Sequence, residues 1–198
     1  MRNFRFWLLL PLGVILSTLA GHQTANALPG QPVEAVAAWI AANPTLNPTV
    51  PGALRVERSN TAAQRFSFQA TVVPPGRISF PPNRGVIRTE FFSFFDMING
   101  VTPERLAETL RVIYGADIYQ DFLSANVVYS YPTPDMIEMS RRQNLPLLEA
   151  QKGQLRLGNR YAYWVEVVET DTGKAYNGKM TVLLPEDLNK IQAELLSR

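Results

Sequence analysis

RTEFFSFFDMING, residues 88 to 100, sets four phenylalanines in five positions and stops at Asn99-Gly100. Whether it is a helix or a strand decides the fold. As a helix, Phe91, Phe94, Phe95 and Ile98 share one face and Gly100 serves as the C-cap. As a strand, Ile87, Thr89, Phe91, Ser93 and Phe95 share one face, and Arg88, Glu90, Phe92 and Phe94 the other. Aromatics and threonine favour strands, and a meander of extended segments leads into the block, so the strand is preferred. Its start is expected to be half exposed and its end buried on both sides, with the rings at the centre of a core between sheet and helices.

Upstream, Arg65 to Val72 alternates polar and apolar residues with period two, the mark of a half-buried strand. Leu54 to Arg58 reads as a shorter strand before it. Arg77 to Phe80, flanked by Pro74-Pro75-Gly76 and Pro81-Pro82, reads as a short edge strand, because proline removes a ladder donor. Val33, Val36, Ala37 and Ile40 predict a helix over about 32 to 42, ended by the extended linker NPTLNPTVPG.

Downstream, Thr102-Pro103-Glu104 supplies a cap, a first-turn proline and an acid. Leu106, Leu110, Ile113 and Tyr114 then form one helical stripe ending at Gly115. A short helix follows at about 117 to 124, a strand at Asn126 to Tyr131 and a helix at about 134 to 143. Arg160 to Glu169 and Lys174 to Leu184 read as a hairpin, and Pro185-Glu186-Asp187 opens a last amphipathic helix. Runs of strands and helices with short connections predict one α+β domain, a mainly antiparallel sheet packed by several short helices. Phe66, Phe68, Phe91, Leu106, Leu110 and Val165 are its expected core.

The first 27 residues read as a secretory signal peptide. Arg2 and Arg5 precede an apolar stretch from Phe6 to Ala20, and Ala25-Asn26-Ala27 is a small-x-small cleavage site. Fifteen apolar residues interrupted by Pro11 and Gly13 fall short of the about 20 a spanning helix needs. The expected organisation is a leader at 1–27, an N-terminal helix and Pro-rich linker at 28–51, and an α+β domain at 52–198. The mature chain is expected to be exported to a periplasmic or other extracytoplasmic compartment, without a transmembrane segment.

Cleavage after Ala27 removes the only histidine, His22, and the chain has no cysteine. Ser-His-Asp and Cys-His nucleophilic sites and imidazole or thiolate metal sites are thereby excluded from the mature protein, and neither a metal nor a cofactor is expected. Without Arg2 and Arg5, the basic residues left of 19 equal the 17 acidic ones. The basic pI therefore belongs to the leader, and no nucleic-acid partner is expected.

Asp171-Thr172-Gly173 matches the aspartic-protease triplet, yet its polar flanks between two alternating runs read as a hairpin turn. A carboxylate-dependent hydrolase acting on glycan or peptide bonds is the enzymatic alternative. It needs two converging acids, for which Glu166 with Glu90, or Asp117 with Asp121, are arbitrary choices. The favoured reading is a non-catalytic accessory or binding protein. Between Val50 and Thr89 six arginines face a single acid, Glu57. Of these, Arg55, Arg65, Arg77 and Arg88 are the candidate ligand-binding residues, for an anionic glycan, a lipid headgroup or a protein partner. The competing reading is a solvated sheet face. Tyr161, Tyr163 and Trp164 offer a further, aromatic groove.

Overall fold

A computed structural model describes residues 28–76, 83 and 85–197. Chain order is α1 (Val33–Ala42), β1 (Arg55–Thr61), β2 (Gln64–Thr71), β3 (Thr89–Asp96), α2 (Pro103–Tyr114), α3 (Ala116–Ser124), β4 (Asn126–Tyr131), α4 (Pro134–Gln143), α5 (Pro146–Ala150), β5 (Gln151–Leu157), β6 (Ala162–Glu169), β7 (Ala175–Leu183) and α6 (Leu188–Leu196). All seven strands form one antiparallel sheet in the order β1-β2-β3-β7-β6-β5-β4. The protein is α+β, as the alternation of strand and helix signals implies.

The phenylalanine block is β3, the third strand of a meander that begins at β1. It stops where Asp96 folds its carboxylate back onto the N–H groups of Ile98 and Asn99, at 3.0 and 2.9 Å. That side chain competes with the ladder and turns the chain. The chain then starts α2, where the Thr102 hydroxyl accepts from the Arg105 N–H. Helices α2 and α3 carry it to the far edge, and β4 to β7 return as a second meander. Its last strand pairs with β3, with Phe92 opposite Met180 and Phe94 opposite Gly178. Gly178 has no side chain because α2 sits there: a Cβ would lie 2.5 Å from Val101.

One sheet face is covered by α1, α2 and α3. Val36, Ile40, Leu106, Leu110, Ile113, Ile118 and Phe122 bury against Phe68, Phe92, Met180, Val182, Tyr163 and Val165. On the other face Leu188, Ile191 and Leu195 of α6 cover Leu155, Ala162 and Leu183, and Met136 of α4 packs at the margin. A nine-residue helix is about 14 Å long, whereas seven strands span roughly 29 Å. Much of that second face therefore stays open.

Three expectations about β3 and the core change. The start of β3 is the buried end, with Thr89 and Glu90 inside, while Ser93, Phe94 and Phe95 are half-buried. Only Phe92 of the four rings is fully enclosed. Phe91 and Phe95 lie on the second face, because strand alternation turns them away from Phe92 and the three helices. Of the expected core, Phe68, Leu106, Leu110 and Val165 are buried, and Phe66 and Phe91 are half-buried. Strand β5 and the short α5 were not anticipated, and the Arg77 to Phe80 segment lies outside the described residues.

Phe92→Ala should cost about 3 to 5 kcal/mol, as the removal of a fully buried ring does, and Phe91→Ala roughly 1 to 2 kcal/mol, in proportion to the smaller area withdrawn from water. Urea midpoints of the two variants check the difference. Equal losses would place both rings in the core.

Candidate functional site

Antiparallel register aligns the open face into rows. One row crosses the sheet as Ser59, Arg65, Phe95, Asn177 and Val168, and the next as Glu57, Ser67, Ser93, Lys179, Glu166, Gly153 and Tyr131. A third runs Arg55, Gln69, Phe91, Thr181, Trp164, Leu155 and Tyr129, and at Leu155 it passes beneath α6. The first two rows bound a groove of about 520 Å³, with Arg65, Ser67, Ser93, Phe95, Glu166 and Lys179 among its walls.

Rings on this face lie beneath cations. The Arg65 guanidinium stands 4.6 Å from the centre of Phe95, and the Lys179 ammonium 4.7 Å from Phe91 and 5.2 Å from Trp164. A ring's negative face attracts a cation, so these pairs keep aromatic surface wet and the charges in place. Ser67 and Ser93 face one another as a cross-strand pair, with hydroxyl oxygens 2.8 Å apart. At the far side the Tyr131 ring crosses Gly153, where a Cβ would collide with it at 2.3 Å. Its hydroxyl donates to Glu166 at 2.5 Å and accepts from the Trp164 indole at 2.8 Å. The groove thus offers hydroxyls, an amide, cations and rings, with the carboxylates of Glu57 and Glu166 at its two sides.

Of the arginines singled out by sequence, Arg55 and Arg65 share this face. Arg55 is ion-paired with Glu57 two residues along its own strand. Arg88 is held elsewhere: it donates to Asp187 at 3.0 and 2.8 Å and to Glu186 at 2.5 Å, tying β3 to the start of α6. Arg77 lies outside the described residues. Lys179, Phe91, Phe95 and Ser93 were missed as site residues. The only sequence signal for them was strand phase, and phase does not reveal that β3 and β7 are neighbours.

The acids weighed as catalytic pairs do not converge. Glu90 lies on the helix-covered face and Glu166 on the open one, since Glu90 is opposite Val182 and Glu166 opposite Lys179. Asp117 is exposed. Asp121 is buried four residues on, accepting from the N–H groups of Asn159, Arg160 and Tyr161 and, at 2.7 Å, from the Tyr163 hydroxyl. Asp171 is exposed in the β6–β7 turn, where Thr170 N–H meets the Lys174 carbonyl at 2.9 Å. Tyr163 is in the core, so the aromatic groove reduces to Trp164. Among the described residues no cluster of acidic side chains could hold a metal ion, and no helix is long and apolar enough to cross a membrane.

Glu90 is fully buried; Tyr114 donates to its Oε2 at 2.8 Å, while Oε1 meets no described partner. Burial pushes the carboxyl up to about 8, and the Tyr114 hydrogen bond opposes this only in part. Between 4.5, the ordinary value, and about 8 the unfolded chain has released this proton and the folded protein still holds it. Stability must therefore fall as pH rises through that window and level off above it, at up to about 1.4 kcal/mol per pH unit. Glu90→Gln keeps the shape and the acceptor for Tyr114. Urea denaturation at about pH 5, 7 and 9 should give the variant a flatter profile and a higher midpoint near pH 8. Parallel profiles would mean that Glu90 ionises freely in the folded state.

No protein-family model, no curated protein and no solved structure matches this chain.

Proposed function

We propose that the protein is a non-catalytic binding protein of an extracytoplasmic compartment that holds an anionic glycan on the open half of its sheet. The groove bounded by Arg65, the Ser67–Ser93 hydroxyl pair, Phe95 and Lys179 carries this reading. Hydroxyl and amide groups suit a polyol, and ring faces suit the C–H side of a sugar. A guanidinium without a described acid partner suits a carboxylate or sulfate. The shallow, open form favours a chain laid across the strands over a small molecule swallowed whole. A lipid headgroup or an acidic protein segment shares only the charge requirement.

The hydrolase alternative has less support. Its two acids must approach within about 5 to 10 Å across a cleft, and Glu90 and Glu166 project from opposite faces of one sheet. The compartment follows from the leader. Cleavage after Ala27 would start the mature chain at Leu28, a buried residue whose neighbour Gly30 donates to Ile87 at 2.7 Å.

Intact mass of the exported protein should correspond to a chain starting at Leu28; a mass retaining the leader would overturn the compartment assignment. On uronate or sulfated polysaccharide matrices the wild type should be retained at low salt and released as salt rises, since exposed charges are screened within about 10 Å at 0.1 M. Arg65→Ala and Ser93→Trp should elute earlier. Equal retention of all three proteins would remove the open face as the binding site, and retention only on acidic lipid or acidic protein would replace the glycan.

A further inference from the structure

We propose that the protein has a second ligand site, on the helix-bearing side of the sheet, that takes a compact apolar molecule bearing one oxyanion. A pocket of about 410 Å³ opens between α2 and the ends of β1, β2 and β3. That size is typical of small-molecule sites. Phe66 and Phe94, with ring centres 5.2 Å apart, make its floor, and both are only half-buried. Val112 of α2, 52% exposed, makes an apolar wall. The Arg105 guanidinium stands 5.0 Å from the centre of Phe94, so the apolar surface left open in the hollow is that of Phe66 and Val112.

The charges at the rim are unequal in availability. Asp96 accepts from Arg105 at 2.7 Å and from Gln64, Ile98 and Asn99. Burial would raise its pKa, but these hydrogen bonds prevail and hold it well below the usual carboxylate range. Glu108 is taken by Arg111 in an ion pair one helical turn along. Both acids at the pocket are therefore neutralised. Arg58 donates to the carbonyl oxygen of Leu46, a neutral group, and Arg65 stands over Phe95. Neither arginine meets a described carboxylate.

Arg58, on the same face as Phe66 and without a described acid partner, selects an anion with an apolar body: the oxyanion takes the guanidinium fork and the body covers the ring. A cation would be repelled, and a neutral ligand would leave the guanidinium without a countercharge. The oxyanion can be a carboxylate, sulfonate or phosphate ester, since all three present paired acceptors to a guanidinium. This site adjoins the open-face groove: Arg58, Arg65, Phe66, Phe94 and Phe95 border both, whereas Val112 lines only this pocket and Ser93 only the groove.

The probe is 8-anilinonaphthalene-1-sulfonate, an aromatic body with one sulfonate, titrated into the folded protein by fluorescence at low and high salt. The wild type should bind it saturably, more weakly at high salt. Val112→Trp fills the hollow from an exposed position and should weaken binding at least about tenfold while leaving the urea midpoint in place. Arg58→Gln should weaken it and flatten the salt dependence, which provides a reading even if the tryptophan variant folds poorly. Ser93→Trp should bind as the wild type does, although it loses glycan retention. A second series with benzoate, phenylphosphate and decanoate as competitors separates the oxyanion types and the ring from the alkyl chain. Absence of saturable binding, or dye binding lost in Ser93→Trp and kept in Val112→Trp, would overturn the second site without touching the first.

Discussion

Strand β3 is hydrogen-bonded along both edges, to β2 from its own meander and to β7 from the other end of the chain, and everything else is arranged around that fact. The two meanders are separate until this seam closes. Closing it means ordering the long connection through α2 and α3, a cost that long-range pairing meets before its contacts form. No cysteine is present to share the load, so packing across the seam must do so. Register fixes where the rings go: Phe92 faces Met180 and the helices, and Phe91 faces Thr181 and the open side. A slip of one residue would exchange the two sets and put Phe91 and Phe95 where Phe92 and Phe94 belong.

Polar side chains inside the helix-covered layer fall into two kinds. Asp121 is fully used: three backbone N–H groups of the β5–β6 loop and the Tyr163 hydroxyl converge on it, so α3 and that loop are locked together. Glu90 is half used, with one oxygen on Tyr114 and the other unmatched. A buried carboxylate lacking a cation is too costly to remain charged, and holding a proton is the cheaper state. Asp121 was given four donors and Glu90 one, so of the two only Glu90 keeps an oxygen without a described partner.

Local signals made most of the elements legible. Capping at Thr102 and Thr133, alternation in β2 and β6, and the Gly-bearing turn after Glu169 needed only a few neighbouring residues. Strand β5 escaped because QKGQLRL carries two cations and a glycine, and its purpose appears only beside Tyr131, whose ring fills the space that Gly153 leaves. Placement of Phe91 failed for a related reason. Alternation tells which residues share a face and is silent about which face receives three helices and which receives one. The arginine run was visible as composition, but its meaning depended on distant acids: Glu186 and Asp187, nearly a hundred positions on, take Arg88 out of any ligand site. Arg65 stands opposite Ser59 and Phe95 and meets no described acid.

The half-open sheet raises a physical question that bears on what it binds. Exposed aromatic rows on a sheet ordinarily invite association with other apolar surfaces. Here Lys179 lies over Phe91 and Trp164, and Arg65 over Phe95, so each ring that would form a sticky row carries a hydrated charge on its outer side. A hydrophobic partner would have to strip those charges of water without replacing it, and an anionic polar ligand need not, because it supplies the countercharge itself. The same cations therefore discourage indiscriminate apolar contact with this face. On the helix-bearing side Arg105 stands over Phe94 in the same way, while Phe66 lies opposite Arg58. Cations therefore shield ring faces on both sides of the sheet, Arg65 and Lys179 on one and Arg105 on the other.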